Sequence, residues 1–514
     1  MRPSGRRTTA LTPRAAVFSL ALLAPLTFAP VAQAGSARPA TAPSPLYSIT
    51  DLGTLTSGGT SVATAINNAG EVVGYGVATT GIEHGFKWVN GTLTDLGTES
   101  GGSFSQANAV NDAGQIAGTA DRTSGGYGYP VRWSAAGVLQ DLGGTVTNSL
   151  GVGNAIDPAG QVAGGQRPAD SEGSPIGILY SQTGTPTYLG TPPDSLDAAA
   201  GVNAKDQVVG SPAFVWQAGA VTMLPGLPGG GGAGANAINI SGEVVGTVAE
   251  PSGGATIEDA ALWQNGALTD LGTINASTYN QANAVNAAGQ IVGTAGPECE
   301  PCAAPVAWLR EPGGPLTALS TLIPAGSGWT LQQADGINDR GQIVGAGLHN
   351  GSLHAYLLTP VYSANVNFAT TGAPVPAGYS ADSGAAYGAR TGGLTYGWNI
   401  ADPSDTRERN STTSPDTRYD TLFQMQRPGG ATSWQIAVPD GTYLVHAVGG
   451  DPSYTDTVYR IDVNGALVVS GTPSASVHWF EGSVQVTVTN GLLALTNGAG
   501  SSNDKIDYLD IIAS

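Results

Sequence analysis

The groups in this 514-residue chain able to do acid–base, nucleophilic or metal chemistry are few: five histidines, two cysteines and 38 carboxylates. The histidines are His84, His349, His354, His446 and His478. No Gly-x-Ser-x-Gly elbow, His-Glu-x-x-His pair or phosphate-cradling Gly-x-x-x-x-Gly-Lys loop occurs, so the usual nucleophile, zinc-hydrolase and nucleotide signatures are missing. The cysteines stand as Cys299-Glu300-Pro301-Cys302. In a reducing compartment that spacing would suggest redox or metal chemistry. Two thiolates alone do not complete a zinc site, and in an exported chain Cys299–Cys302 reads as a disulfide stapling one loop. No catalytic residue is assigned on this basis.

These groups sit on a strongly repetitive scaffold. Ala-Ile-Asn-Asn-Ala-Gly-Glu-Val-Val-Gly at Ala65–Gly74 returns at Ala109–Gly118, Ala155–Gly164, Gly201–Gly210, Ala237–Gly246, Ala284–Gly293 and Gly336–Gly345. The key position is Asn67, Asn111, Asp157, Asn203, Asn239, Asn286 and Asn338, with spacings of 44, 46, 46, 36, 47 and 52 residues. A period near ~45 residues means one supersecondary unit per repeat, each stacked on its neighbours. Four short apolar segments per unit read as strands; in the second unit they are Ala107–Val110, Gln115–Gly118, Pro130–Trp133 and Val138–Leu142. Between the first two, Asn-x-x-Gly is a turn: Asn or Asp bonds its own downstream backbone and Gly takes the positive φ. Asp206 replaces that Gly in the fourth unit, which predicts mild strain. The third segment ends in Trp88, Trp133, Tyr180, Trp216, Trp263, Trp308 or Tyr356, and the fourth carries Asp-Leu-Gly at Asp95, Asp141 and Asp270.

Four antiparallel strands at this period predict a seven-bladed β-propeller over residues 47–360, with an open β-solenoid as the alternative. The last unit lacks an Asp-Leu-Gly strand, whereas Tyr47-Ser48-Ile49-Thr50-Asp51-Leu52-Gly53 is an orphan one ahead of the first. Pairing of the two would close the ring and remove its open edges. His84-Gly85-Phe86-Lys87-Trp88 and His354-Ala355-Tyr356, with Pro212-Ala213-Phe214-Val215-Trp216 lacking the His, resemble the bacterial extracellular repeats named for a His-Ala-Phe signature. The resemblance implies a secreted, propeller-like protein and carries no catalytic motif. His84 and His354 hold the same repeat position and read as strand-end hydrogen-bonding residues. Residues recurring in every unit serve the fold, so function belongs with those that break the symmetry. Among acids these are Glu83, Asp121, Glu258, Asp259 and Asp335, each expected to be solvated at the surface.

Net charge is −19, with pI near 4.4. Such a surface repels phosphate backbones and anionic lipid, which argues against nucleic acid as a partner. Residues 1–34 read as a secretory leader, with Arg2, Arg6, Arg7 and Arg14 ahead of apolar Ala15–Ala29 and Ala32-Gln33-Ala34 as the cleavage site. Residues 35–46 read as a flexible linker, and no later stretch is apolar enough to insert into a membrane.

Past Pro360 the period is lost. Val361–Ala364 reads as a linker, and residues 361–514 as a β-sandwich with strands at Trp434–Val438, Tyr443–Val448, Tyr459–Val463, Val484–Thr489 and Leu492–Thr496. Val366-Asn367-Phe368, Asp382-Ser383-Gly384, Tyr396-Gly397-Trp398-Asn399, Arg418-Tyr419-Asp420-Thr421, Gly450-Asp451-Pro452 and the closing Lys505–Ile511 segment resemble malectin-like, galactose-binding-like jelly-roll modules. The resemblance implies glycan binding through loop aromatics. A sugar offers an apolar C–H face and an equator of hydroxyls, so a site needs a flat aromatic with carboxylates or amides beside it. The aromatic candidates are Tyr387, Tyr396, Trp398 and Trp479; the polar ones are Asn399, Asp420 and Asp451. Trp434, in an alternating strand, reads as core. The resemblance also raises a structural calcium ion at Asp507 and Asp510, which would need six to eight oxygens; no other cofactor is implied.

The expectation is therefore an all-β, secreted, non-catalytic monomer. Its seven-bladed propeller, closed by its first strand, would be a scaffold, and its jelly-roll sandwich would tether it to extracellular polysaccharide or cell wall. The alternatives are a polysaccharide lyase or glycoside hydrolase with an accessory sandwich, and an adhesive or protein-binding surface protein.

Overall fold

The computed structural model describes residues 46–513, apart from 124–125, 144–148, 169–174, 191–195, 252–256, 276, 297–303, 392 and 428–429. Residues 1–34 and the Cys299/Cys302 pair lie outside the described residues. The chain is all-β, with three single-turn 3-10 segments among the described residues, at Leu319–Thr321, Pro403–Asp405 and Thr417–Tyr419. Among the described residues no helix is long and apolar enough to cross a membrane.

Each repeat forms an antiparallel sheet whose strands pair in chain order. In the first these are Ser61–Ile66, Val72–Val77, Glu83–Val89 and Thr92–Asp95. The turn between the first two is built as its residues dictate. Asn67 Oδ1 accepts from Ala69 N and Glu71 N at 3.1 and 2.9 Å, and Gly70 takes φ +85°. Asp206 stands at that position in the fourth repeat with φ +56°, the left-handed conformation that Asp tolerates better than most residues. The inner strand of every repeat carries a β-bulge at one place, leaving Thr64, Asn108, Asn154, Ala200, Asn236, Asn283 and Asp335 unpaired. The register also shows that Tyr356 and Trp308 occupy the Phe86 position, and that Leu358 and Arg310 stand where the other five repeats have their terminal aromatic.

The first strand, Tyr47–Asp51, pairs antiparallel with Ser352–Pro360 and supplies the fourth strand of the last sheet. Apolar clusters then fill the space between each sheet and the next, and one of them joins the last to the first: Val344, Ala355 and Leu357 pack with Leu52, Ala63, Ile66 and Phe86. The key asparagines run around the same ring. Asn67 Nδ2 donates to Asn111 O, Asn111 to Asp157 O, Asn203 to Asn239 O, Asn239 to Asn286 O and Asn286 to Asn338 O, at 2.9 to 3.0 Å. Asn338 Nδ2 then donates to Asn67 O at 2.9 Å. Each buried amide thus fills a second acceptor position on a carbonyl that already takes an N–H within its own turn, as Asn111 O does from Gly114 N at 2.9 Å.

Beyond Pro360 a five-stranded and a six-stranded sheet face each other across one core containing Phe368, Trp398, Phe423, Trp434, Tyr459 and Leu509. The expected strands are all present, several of them longer, with Tyr443–Val448 extending to Gly441–Gly450. The linker is shorter than expected, because Ser363–Phe368 is already a strand paired with Tyr508–Ala513. Residues 44–514 pack as one unit.

Candidate functional site

The residue after each key asparagine lines one mouth of the ring, and here the repeats differ. Asn68, Asp112 and Asp339 are polar, whereas Pro158, Ala204, Ile240 and Ala287 are not. The sandwich docks on this asymmetry. Arg418 Nη1 bonds Asp339 Oδ2 at 2.5 Å, and Asn68 Nδ2 donates to the same oxygen at 2.9 Å. Ile240 and Ala287 meet Tyr419, Val448 and Tyr508 in an apolar cluster. Burial alone would raise the Asp339 pKa, but Arg418 and the Ala287 N–H outweigh it and hold the carboxyl below its ordinary value. Beside the seam His446 is pushed up to about 9: burial opposes its charge, but its bonds to Asp510 and Glu481 prevail.

Between this mouth and the sandwich segments at 374–377 and 415–418 lies a cavity of about 690 Å³. Asp112 faces it with its pKa raised by burial, and among the described residues Arg418 is the one cation on its wall. Among the described residues the lining contains no histidine, cysteine or aromatic side chain. It can hydrogen-bond a small polar molecule, but it offers neither a nucleophile–base pair nor a face on which a sugar could stack.

The residues expected to bind glycan separate into five places. Tyr396 and Trp398 are in the core, a correction to the expectation that they form a platform. Trp398 is 1% exposed, stacks on Phe423 at 3.7 Å between ring centres and donates from Nε1 to Asp382. The two are core positions on the same face of Thr395–Trp398, so neither offers a free platform. Trp479 is packed in the seam, edge-on to Tyr419. Asp451 is fully buried and clamped by Arg409 through Nε at 2.9 Å and Nη2 at 2.5 Å, so it serves an ion pair. Asp420 closes its own loop by accepting from Ser411 N and Ser414 Oγ.

Tyr387 and Asn399 remain accessible. Tyr387 is 41% exposed and donates its N–H to Trp398 O, which brings it beside exposed Asn399 at the end of the six-stranded sheet. Arg390 lies against the same edge, bonded to Gly388 O and Ala386 O. Composition gave no sign of Tyr454, which is 53% exposed and lies under the Arg409 guanidinium at 4.9 Å. The calcium expectation finds no converging donor set. Asp507 Oδ1 accepts from Gly450 N, Asp510 binds Asn365 and His446, and among the described residues neither carboxylate belongs to a cluster of three or more metal donors.

Of the symmetry-breaking acids, Asp121 and Asp259 are buried rather than solvated. Asp121 caps the loop at Ser103 and Phe104. Burial and a hydrogen bond with Glu250 push Asp259 up to about 7, and both lie close to Asp270. His84 and His354 bond Asp95 and Asp51 at 2.9 Å, the role expected of them.

No protein-family model matches the chain, and no curated protein matches it. Among solved structures it is similar to TolB from Acinetobacter baumannii, at 12% identity over 60% of this chain and 65% of that one, with a TM-score of 0.31. It is similar to the YXIM protein of Bacillus subtilis at 20% identity over 30% of this chain and 40% of that one, TM-score 0.22. It is also similar to a family 35 carbohydrate-binding module from Clostridium thermocellum at 16% identity over 18% of this chain and 88% of the module, TM-score 0.14. The chain spans less than two thirds of the length of the first two. Likenesses of this size assign neither a family nor an activity.

Proposed function

We propose that the chain is a secreted, non-catalytic binding protein of the His-Ala-Phe repeat type. In this reading residues 47–360 are a seven-bladed β-propeller acting as a rigid scaffold, and residues 361–514 are a jelly-roll module that tethers it to extracellular polysaccharide. The observation that carries the reading is the placement of Tyr387. It is an exposed aromatic at a free sheet edge, with the Asn399 amide and the Arg390 guanidinium beside it. That combination matches a sugar's C–H face and hydroxyl equator. At the mouth of the ring the Asp339 carboxylate is held by Arg418 of the sandwich, and Ile240 and Ala287 are covered by its apolar side chains.

The test is retention of the full chain on a panel of insoluble plant, microbial and algal polysaccharides. Tyr387→Ala should weaken binding at least tenfold, a loss of ~1.4 kcal/mol, while Trp398→Phe leaves affinity unchanged in folded protein. No retention on any polysaccharide, or retention indifferent to Tyr387→Ala, refutes the reading.

A further inference from the structure

Superposing the strand register of the repeats reveals a recurring three-residue position at the outer part of each sheet. It consists of the residue that follows the second strand by one place, or ends it, the second residue of the third strand or its counterpart, and the Asp of the Asp-Leu-Gly strand. In the first repeat these are Ala78, His84 and Asp95; in the second, Arg122, Tyr129 and Asp141. In the fifth they are Glu250, Asp259 and Asp270. In the last they are His349, His354 and Asp51. The acid is fixed the same way each time. One oxygen accepts the N–H of the following Gly, as Asp51 Oδ1 does from Gly53 at 2.8 Å and Asp95 Oδ1 from Gly97 at 2.7 Å, leaving the carboxylate turned toward the other two positions.

Only in the last of these four sets do two imidazoles meet the acid. His349 Nδ1 lies 2.8 Å and His354 Nδ1 2.9 Å from Asp51 Oδ2. One ligand atom from each residue falls within 4.8 Å of the other two. Trp329 stacks on His349 at 4.5 Å and 1°, fixing the ring plane. The side chains are 21 to 29% exposed, so water can reach the cluster. A tetrahedral zinc ion with bonds of ~2.0–2.1 Å holds its ligands ~3.3 Å apart. The two His–Asp separations need open by only about half an ångström to reach that spacing, and the histidine ligand atoms already lie within 4.8 Å of each other. Two imidazoles and a carboxylate with an open side suit a borderline divalent transition metal rather than calcium or magnesium.

We propose that Asp51, His349 and His354 form a site for a divalent transition-metal ion of the zinc class, tying the chain's first strand to its last repeat. Asp51 is separated from the histidines by about three hundred residues of sequence, so the ion would bind only the closed ring and would stabilise it by linkage. The first repeat supplies an internal control, since His84 makes the same bond to Asp95 with Ala78 in the third place.

The experiment is zinc titration by calorimetry of the chelator-treated full chain carrying Cys299→Ser and Cys302→Ser, so that thiolates contribute nothing. Thermal unfolding is followed in parallel. The expected result is one equivalent of zinc bound at micromolar or tighter Kd and a zinc-dependent rise in Tm. Both should weaken at least tenfold or vanish in His349→Ala and persist in His84→Ala. No stoichiometric binding, or equal loss in both variants, overturns the proposal. Should His349→Ala fail to fold, cobalt substitution of the parent chain decides: a tetrahedral visible band displaced by zinc supports the site, and its absence rejects it.

Discussion

Replacing Asp157 by Asn should make the protein more stable, because it restores a missing bond in the ring of amides. Six of the seven key residues donate from Nδ2 to the key carbonyl of the next repeat, closing through Asn338 to Asn67. A carboxylate has no N–H, so Asp157 cannot donate to Asn203 O, which accepts from Asp206 N at 3.1 Å. Gln161 compensates in part by donating to Asp157 Oδ2 at 2.9 Å and to Asp206 Oδ1 at 2.6 Å. In the variant Gln161 would turn its Oε1 to the new amide, as Gln115 and Gln207 do to Asn111 and Asn203. The exposed Asp206 contact is lost at little cost, and a buried bond worth ~1 kcal/mol net is gained. That corresponds to a rise in Tm of about 2 °C for a domain of this size. The pH dependence provides a second check. Burial raises the Asp157 pKa above its ordinary 3.8, so the parent is penalised once pH exceeds the folded value and relieved as pH falls toward 3.8. The advantage of Asp157→Asn should therefore be largest near neutrality and shrink by pH 4. Scanning calorimetry of parent and variant at the two pH values tests this. A variant no more stable at pH 7, or an advantage that does not change with pH, refutes the account of the ring.

A second tier of bonds makes a parallel prediction at the bulge. Asn108, Asn154, Asn236 and Asn283 donate to Gly153, Ala199, Ala282 and Ala334 carbonyls at 2.8 to 2.9 Å, and Asp335 interrupts the series where it would reach Ala63 O. Its carboxyl is pushed up to about 7 by burial, so the parent loses stability between pH 4 and 7 as that proton leaves. Asp335→Asn should gain about 1 kcal/mol over the parent at pH 8 and less at pH 5, read by urea unfolding. Arg418→Ala should detach the sandwich, since it leaves Asp339 buried beside Asn68 without its cation, a loss of ~3–5 kcal/mol. The measurements are calorimetry, where a second, earlier transition is expected, and faster proteolysis near Val361. A single unchanged transition would mean the apolar contacts suffice.

The ring was legible because its signals are local and repeated. Asn-x-x-Gly fixes a turn wherever it occurs, and the orphan Tyr47–Gly53 strand matched the missing strand of the last repeat by inspection. The sandwich strands were equally visible, since each alternates about a core of its own. What escaped was every property that depends on which neighbour a side chain meets. Trp398 near a strand end looked as free as Tyr387, yet Phe423, a distant residue, covers its face. Asp451 follows two glycines like a loop ligand, and only the folded chain brings Arg409 to it. Arg418 carried no mark of docking, because its partner Asp339 lies 79 positions away in the last repeat.

Sequence symmetry is still the means of finding such residues, provided it is applied at the level of strand register rather than motif. Motif comparison discounted the Asp of Asp-Leu-Gly as a recurring fold residue and treated His349 as unremarkable. Register comparison places Ala78, Arg122, Glu250 and His349 in one structural position facing that Asp. The repeated acid is a constant, held by its own turn, and the variable residues opposite it decide the chemistry. With Arg122 the result is an ion pair, with Glu250 a hydrogen bond to Asp259, and with two histidines a set of metal donors. Four repeats carry this Asp, so the chain has four places at which the residues opposite it vary while the strand register is kept. New binding chemistry should therefore accumulate at these outer positions. The inner asparagines have no comparable freedom, since each is bonded to the next and a change at one, as at Asp157, is felt by its neighbour.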